Sequence, residues 1–225
     1  MTYIRKPVFM ARGVFISFEG SEGCGKSTQI RRLAERLESL GNSILHTREP
    51  GGTEIGEQLR QLLQFSKAGY EMTPETELLL FAASRAQLVR EKIAPALAAG
   101  RIVLADRFMD STTVYQGVAR RLDPARVAEV NQFAVGGCVP DLTFVLDLDP
   151  AVARERLRGR ATAAGVPDRM ENQPAAFYEA VREGYLWLAR ETPDRVRLLD
   201  AAQPEEAISS EIWNQLATRM SGRAC

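Results

Sequence analysis

The stretch "GVFISFEGSEGCGKST" (13–28) joins a short apolar run to a glycine-rich turn that ends in a lysine and two hydroxyl residues. Its first part, 13–19, is short, apolar and β-branched, which is typical of a buried parallel strand. Residues 20–27 match the pattern G-x-x-x-x-G-K-[ST], in which glycines let several backbone N–H groups face one anion. An amphipathic helix follows and points its N-terminal dipole at the same place. This context favours a phosphate-binding loop over a purely structural turn.

The rest of the chain alternates short apolar runs with helical patterns. Four further strands are predicted at 43–47, 101–106, 141–149 and 195–201. A long helical pattern begins with Thr73 as N-cap and runs as one or two helices to Gly100, and Pro95 is a candidate kink. Alternating strands and helices predict an α/β fold, with a five-stranded parallel sheet flanked by helices on both faces. We expect one domain at 13–220 after an N-terminal extension, 1–12, that is disordered; either Met1 or Met10 is the native start.

Composition excludes several classes of protein. The chain has 225 residues, and 29 Lys and Arg residues balance 29 Asp and Glu residues, which argues against a nucleic-acid-coating protein. Three cysteines (Cys24, Cys138 and Cys225) lack metal-ligand spacing and a disulfide framework, so a reducing compartment, the cytoplasm, is expected. No apolar run approaches the roughly 20 residues of a membrane span, and no secretion signal is recognisable.

The residues at the end of the third predicted strand, 101–106, indicate which class of nucleotide-binding protein the chain belongs to. No N-K-x-D pattern for reading guanine is present, and the strand 101–106 ends in one acid, Asp106, followed by Arg107. An ATPase motor usually has two adjacent acids there. One acid that holds Mg²⁺ through water and one arginine that binds an anionic acceptor favour phosphoryl transfer. The alternative for Arg107 is a surface ion pair with Asp106.

An arginine-rich segment, "RERLRGRATAAGVPDRMENQ" (154–173), has two readings. Between 154 and 169 it carries five arginines and two acids, a net charge of +3, and small residues interrupt its middle. It is either a solvated helix face that ends in a loop or a mobile lid that carries cations to a phosphate.

Six motifs in order resemble the thymidylate kinase family of the bacterial type. They are "FEGSEGCGKST" (18–28), "TREPGGT" (47–53), "LLLFAASRAQLV" (78–89), "ADRFMDSTTVYQG" (105–117), "PDLTFVLDLDP" (140–150) and "DRME" (168–171). The similarity runs from about residue 13 to about residue 220, nearly the whole chain. Other nucleoside monophosphate kinases share only the phosphate loop and an arginine-rich lid.

The resemblance implies a kinase that transfers phosphate from ATP to dTMP with Mg²⁺. Lys26 neutralises the β- and γ-phosphates, and Ser27 and Asp106 hold the metal. The expected nucleotide-binding residues are Gly20, Ser21, Glu22, Gly23, Cys24, Gly25, Lys26, Ser27 and Thr28. Relatives commonly carry Ala or Ser at the position of Cys24, so this thiol is either a small filler or an unusually reactive thiolate at a helix N-terminus.

The resemblance also implies an acceptor pocket. Phe81 stacks on the thymine ring, and Arg85, one turn further on, donates to a thymine carbonyl. Thr112 and Gln116 read the remaining base edge, and Tyr115 crowds the ribose 2′ position. For Phe81 and Arg85 the alternative is an ordinary amphipathic helix, and for Tyr115 it is core packing. Many relatives carry Ser or Asn where Thr112 stands.

The acceptor phosphate is expected to bind Arg107, with Arg48 and Arg60 in support and Glu49 nearby. Glu22 stands where some relatives have a basic residue, and in similar enzymes it faces the sugar 3′-hydroxyl or the metal. Because the loop lacks its own arginine, positive charge must come from the lid. The lid, 154–171, supplies it through Arg156, Arg158, Arg160 and Arg169, with Arg160 as the catalytic arginine beside Lys26, Arg107 and Glu22.

Two other functions remain open at this point. A kinase of different specificity would use the same loop, although arginines for an acceptor phosphate argue against a nucleoside acceptor. A nucleotide-binding switch module would bind ATP and transfer nothing, which leaves the base-reading pairs without a purpose. The resemblance further implies a homodimer formed through the helix near 75–99. His46, the sole histidine, lies within a predicted strand and not at its functional end.

Overall fold

The structure is a computed structural model that describes residues 13–65, 71–161, 169–170 and 173–221. The described residues form five strands: β1 (Val14–Glu19), β2 (Ile44–Arg48), β3 (Ile102–Asp106), β4 (Leu142–Asp147) and β5 (Val196–Asp200). All neighbouring strands are parallel, in the order β2–β3–β1–β4–β5. The predicted fold class and all five predicted strands are therefore confirmed. The predicted extension, 1–12, lies outside the described residues.

Helices connect the strands and cover both faces of the sheet. The α-helices are α1 (Lys26–Ser39), α2 (Glu54–Arg60), α3 (Pro74–Leu88), α4 (Ala94–Ala98), α5 (Met109–Thr112), α6 (Pro124–Val135), α7 (Pro150–Ala161), α8 (Ala175–Glu191) and α9 (Glu205–Ser221). Three π-helical turns extend or join them: Gln61–Phe65, Val89–Ile93 and Thr113–Ala119.

The central strand is buried on both sides, which explains its unbroken apolar sequence. Ile16 packs into a cluster with Ile30 of α1 and Ile212 of α9. Its neighbour Phe15 enters a different cluster with Leu88, on the other face of the sheet. Successive strand side chains point to opposite faces, so both kinds of position must be apolar.

The long helical pattern forms two helices, one of the two predicted alternatives, and the break does not lie at its proline. Thr73 caps α3 by accepting a hydrogen bond from the Thr76 amide, as the sequence predicts. The π-helical turn Val89–Ile93 then interrupts the helix before Pro95. Pro95 lies in the first turn of α4, where a missing N–H removes no intrahelical bond.

The topology brings three loops to one edge of the sheet. In the parallel register, Phe18 of β1 and Arg48 of β2 both lie opposite Asp106, the last residue of β3. The segments that follow β1, β2 and β3 therefore leave the sheet side by side. Ligands of open α/β sheets bind at this carboxyl edge. None of the described helices has both the length and the apolar character needed to cross a membrane.

Candidate active site

The glycine-rich loop after β1 turns sharply into α1. Gly20, Gly23 and Gly25 have φ values of +130°, +77° and +98°, a region that favours glycine. At Gly20 a side chain is also excluded sterically, since a Cβ atom would lie 2.5 Å from the carbonyl oxygen of Leu146. Gly25 is the N-cap of α1, so the loop ends where the helix presents its first unpaired N–H groups. This geometry is suited to an anion.

Lys26 and Ser27, the first residues of α1, lie at the mouth of the loop. The Lys26 ammonium donates to the carbonyl oxygens of Gly20 (3.2 Å) and Ser21 (2.8 Å), which holds it against the loop. The exposed Ser27 hydroxyl donates to the carboxylate of Asp106 at 3.2 Å. The two residues predicted to hold a metal are therefore in contact.

Arg107 adopts a strained backbone conformation that buried groups maintain. Its φ is +68°, an uncommon value for a residue with a side chain. The amide of Arg107 donates to Phe18 at 2.9 Å, and the next amide, of Phe108, donates to the Glu19 carboxylate at 2.8 Å. Glu19 is fully buried and also accepts from the Ser111 hydroxyl at 2.6 Å. The turn after β3 is thereby fixed from β1.

This turn directs the Arg107 guanidinium onto the phosphate loop. Its Nη2 contacts the Glu22 carboxylate at 2.5 Å, and its Nη1 donates to Ser111 (3.1 Å) and Tyr185 (3.3 Å). Burial alone would raise the pKa of Glu22. The positive charges of Arg107 and then Lys26 outweigh this effect and lower the pKa to about 2. Glu22 is therefore an ionised partner of the arginine that follows β3.

The Glu22–Arg107 pair predicts an acid-sensitive contribution to stability. The pKa of Glu22 is about 2 in the folded protein against 4.5 for the free side chain, so the contribution is complete above 4.5 and lost as pH falls toward 2. Glu22→Gln is expected to reduce the free energy of unfolding more at about pH 7 than at about pH 3. Urea unfolding at both pH values measures this. In an Arg107→Ala background, the effect of Glu22→Gln on the free energy of unfolding should depend less on pH. An equal loss of unfolding free energy at both pH values would contradict an ionised Glu22–Arg107 pair.

Beside the loop is a cavity that brings together most of the predicted acceptor residues. The empty space at this site, with the solvent at its open mouth included, is about 420 Å³. Its lining includes the predicted residues Glu22, Glu49, Phe81, Arg85, Arg107, Thr112, Tyr115 and Gln116. Arg107 and Glu22 lie at the end nearest the phosphate loop, because both contact each other there. The Arg107 guanidinium also lies over the Tyr115 ring, 5.1 Å from its centroid.

Arg85 is a buried hub and not a free side chain. It is 1% exposed, forms an ion pair with Glu49 at 2.6 Å and donates to Asn131 at 2.7 Å. Its Nη2 also donates to the Thr112 hydroxyl at 3.0 Å. Because the Thr112 oxygen accepts from Arg85, its own O–H is available to donate into the cavity. The structure thus links two predicted base-reading residues directly.

Glu49 has one buried oxygen that the described residues leave without a hydrogen-bond partner. Its Oε2 pairs with Arg85, but its Oε1 is buried and unpaired among the described atoms. Burial raises the pKa of Glu49 to about 7, although Arg85 opposes the rise. An unsatisfied buried group that lines a cavity indicates a ligand that completes its bonds.

Two predicted phosphate-supporting arginines have different positions. The guanidinium of Arg48 is exposed, pairs with Glu57 at 2.8 Å and does not line the cavity, so its supporting role stays a prediction. As the last residue of the edge strand β2, it turns toward α2 instead. Arg60 donates to the carbonyl of Pro50, a cavity-lining residue, at 3.1 Å. The charge of Arg60 also helps to lower the pKa of Glu22, so Arg60 lies close to the Glu22–Arg107 pair.

The lid arginines are only partly described. Arg169 departs from the expectation of a mobile lid cation: it is 4% exposed, pairs with Glu77 at 2.6 Å and donates to Leu63 at 2.9 Å. Arg156 donates to the carbonyl of Ala201 at 3.2 Å, and Arg158 is exposed. Arg160 belongs to the last turn of α7, and its side chain lies outside the described residues. The same holds for 162–168 and 171–172 of the predicted lid.

Cys24 and His46 follow the simpler expectations. Cys24 is 1% exposed and belongs to the hydrophobic cluster under the sheet, which favours the small-filler reading over a reactive thiolate. His46 is exposed in the middle of β2, away from the carboxyl edge.

Sequence reasoning missed the buried residues that orient the predicted ones. Glu19 holds the turn at Arg107, Asn131 accepts from Arg85, and Glu77 accepts from Gln116 at 2.7 Å. A signal existed only for Glu77, which precedes Phe81 and Arg85 by four and eight residues and so shares their helix face. Asn131 and Glu19 have no such signal, because their partners are distant in sequence.

A phosphate loop, an arginine that contacts it and an adjoining acceptor cavity on a parallel sheet are the features of a P-loop kinase of the nucleoside monophosphate type. The family model for thymidylate kinase matches residues 18–212, and the chain belongs to the thymidylate kinase family.

Similar proteins agree with this family over nearly the full chain. A thymidylate kinase from Syntrophotalea carbinolica is 49% identical over 201 residues, 88% of this chain and 93% of that protein. One from Deinococcus radiodurans is 43% identical over 210 residues, covering 93% and 99%. Among solved structures, thymidylate kinase from Ehrlichia chaffeensis has a TM-score of 0.72 at 32% identity and covers 91% of this chain and 99% of its own.

Proposed function

We propose that this protein transfers the γ-phosphoryl group of ATP to the phosphate of dTMP, giving dTDP and ADP, with Mg²⁺. The observation that carries the proposal is the contact between Arg107 and Glu22. It joins the phosphate loop to one end of the cavity. An acceptor phosphate bound by Arg107 is thereby adjacent to the phosphates of a donor in the loop. Membership of the thymidylate kinase family supports the same reaction.

The reaction needs positioning more than acid–base chemistry. The acceptor is a phosphate monoester whose second pKa is about 6, so it is already a nucleophile at neutral pH. No general base is required, and the cavity supplies guanidinium and hydroxyl groups that orient the acceptor instead. Arg107 suits this role because its planar fork matches two phosphate oxygens. Contacts with Glu22, Ser111 and Tyr185 hold the guanidinium in place.

The polar groups of the cavity match a thymine edge. Thymine presents two carbonyl acceptors with one N–H donor between them. Arg85 is a permanent donor, and the Thr112 hydroxyl can donate because its oxygen already accepts from Arg85. Phe81, which lines the same cavity and is half-buried, offers an apolar face to the ring. These features favour dTMP over an acceptor without a carbonyl at this edge.

The residues at the loop mouth fit Mg²⁺. This ion prefers oxygen ligands, keeps several waters and uses one or two protein groups together with substrate phosphates. The Ser27 hydroxyl and the Asp106 carboxylate are adjacent oxygen donors of this kind. Within the described residues no cluster of three or more His, Cys, Asp or Glu side chains offers a complete protein site. When bound, Mg²⁺ neutralises charge on the donor phosphates.

ATP consumption measured with a panel of nucleoside monophosphates tests the proposal. We expect ADP release that requires dTMP and Mg²⁺, with dCMP, UMP and the nucleoside thymidine far weaker as acceptors. A different preferred monophosphate would support a kinase of other specificity. ADP release that does not depend on any acceptor would support a nucleotide-binding switch instead.

Arg85→Ala is expected to weaken dTMP binding by about 1–3 kcal/mol, since it leaves a thymine carbonyl and its protein partners unpaired. ATP binding should remain within about twofold, because Arg85 does not contact the phosphate loop. Isothermal titration of each nucleotide measures both, on protein shown by circular dichroism to be folded.

Arg48→Ala is the matched control for the Arg85 variant. Both substitutions remove an arginine that pairs with a glutamate, but only Arg85 lines the cavity. We expect unchanged dTMP affinity in the control. If Arg85→Ala lowers ATP affinity as much as dTMP affinity, the assignment of the cavity to the acceptor is wrong.

A homodimer is also proposed, through α3 and the adjacent α6. Leu79 of α3 is 58% exposed and Phe133 of α6 is 79% exposed, although both are large apolar residues. Exposed apolar residues on neighbouring helices are typical of a protein interface. Light scattering after chromatography should give twice the chain mass for the wild type and a smaller mass for Phe133→Asp. We further propose that the enzyme works in the cytoplasm, where its substrates are made.

A further inference from the structure

Glu77, a residue of α3, is buried next to the base-reading end of the cavity without lining it. It is 1% exposed and accepts hydrogen bonds from the Gln116 amide at 2.7 Å and from Arg120 at 3.2 Å. Arg169 completes its surroundings with an ion pair at 2.6 Å. Two guanidinium groups and one amide therefore hold the buried Glu77 carboxylate in a fixed position.

The charge of Glu77 decides which groups can face it. Burial raises its pKa, but the hydrogen bond from Gln116 and the bonds and charges of Arg120 and Arg169 lower the pKa overall. The carboxylate is therefore ionised and acts only as a hydrogen-bond acceptor. Only a donor can be turned toward it.

This restriction fixes the orientation of the Gln116 amide. A glutamine amide has an NH₂ donor and a carbonyl acceptor on the same carbon, and the two can exchange by rotation. Because Glu77 accepts only, the Nε2 of Gln116 is held on Glu77, and the carbonyl Oε1 is left for the cavity that Gln116 lines. The cavity thus receives an acceptor where a freely rotating amide would offer either group.

We propose that Glu77 is a positioning residue that sets the base specificity through Gln116, a role that rests on the function proposed above. A carbonyl acceptor at this place matches the N3–H donor of thymine. It opposes cytosine, whose N3 is an acceptor in the same position. Thr112 and Arg85, which are hydrogen-bonded to each other, contribute donors to the same cavity. Thymine presents acceptor, donor, acceptor along its edge, and the two donors and one acceptor of the cavity are complementary to it.

Glu77→Gln tests this directly, since the new side chain has the same shape but can donate as well as accept. Both amides can then rotate, and Gln116 can present its NH₂ group to the N3 atom of cytosine. We expect the ratio of kcat/KM for dTMP over dCMP to fall by about tenfold or more. The change should arise from a higher KM for dTMP and a gain for dCMP.

Arg120→Gln is the matched control. It removes one guanidinium from the same carboxylate but leaves the bond between Glu77 and Gln116 in place. Its melting temperature should fall, whereas its dTMP-to-dCMP ratio should remain within about twofold of the wild type. A purely structural role for Glu77 predicts instead that both variants lose stability and that neither changes the ratio.

Gln116→Leu provides a second test that does not depend on a folded Glu77 variant. It should lose the discrimination, and adding Glu77→Gln to it should change the ratio no further, because both substitutions act through one group. An unchanged ratio in Gln116→Leu, or in a folded Glu77→Gln enzyme, overturns the proposal. Failure of the wild type to use dTMP at all would instead reject the proposed function, which keeps the two outcomes distinct.

Discussion

An Arg107→Lys enzyme is expected to show a loss of about 10²-fold in kcat/KM for dTMP, although its positive charge is retained. Lysine is a point charge without the bidentate fork, so it holds an acceptor phosphate less precisely. The backbone of Arg107 is strained, with φ of +68°, and hydrogen bonds to Glu19 and Phe18 hold this turn in place. The turn fixes the direction in which the side chain leaves the backbone. Steady-state kinetics with dTMP as the varied substrate measure the loss.

The lysine variant is informative because it isolates geometry from charge. Lysine has the same backbone preferences as arginine and can still pair with Glu22, so the turn and the loop should remain folded. ATP affinity should be close to that of the wild type. Near-normal turnover with dTMP would reject a positional role for Arg107 and leave only an electrostatic one.

For Arg160→Ala we expect turnover to fall by about 10³-fold, with little change in ATP affinity. The phosphate loop contains an acid, Glu22, that is already paired with Arg107, so charge developing during transfer must be met from outside the loop. α7 packs directly on the loop: a Cβ atom at Gly23 would lie 2.8 Å from the carbonyl oxygen of Ala153. Arg160, two turns further along α7, thus extends from an element that is anchored at the donor site.

Alanine variants at the other lid positions separate the lid hypothesis from a solvated helix face. Arg156→Ala should have a smaller effect on turnover than Arg160→Ala. Arg169→Ala should act mainly on stability, since Arg169 is buried against Glu77 and Leu63. Single-turnover rates and ATP titrations of the three variants provide the comparison. Normal turnover in all three would mean that the segment is only a charged helix surface.

The fold was predictable because its signals are local. Each strand is a short apolar run, and the phosphate loop, the N-cap Thr73 and the glycine after α1 all act through neighbouring residues. The interruption at Val89–Ile93 was not predictable, because a π-helical turn arises from packing and leaves no composition signature. A kink was predicted at Pro95 because proline is the one helix-breaking residue that the sequence shows in the interior of this segment. The break lies instead at Val89–Ile93.

The candidate site was predictable residue by residue but not in its connections. The positions that line the cavity follow from motifs, yet the partner of Arg48 is Glu57 and that of Arg169 is Glu77. An arginine's sequence position does not reveal which carboxylate it will pair with, since charged side chains are long and their partners are set by the tertiary fold. The same limit hid Glu19 and Asn131, which act at a distance in sequence.

The burial of Arg85 has a consequence for inhibitor resistance. An inhibitor that mimics the thymine ring would contact a residue that also ties α3 to Glu49 and Asn131. A substitution at Arg85 that evades such a compound would leave a buried carboxylate unpaired, so the resistant cell would carry a less stable kinase. Selection is therefore expected to favour escape at the half-buried Phe81, where a change costs contact area but no core bond.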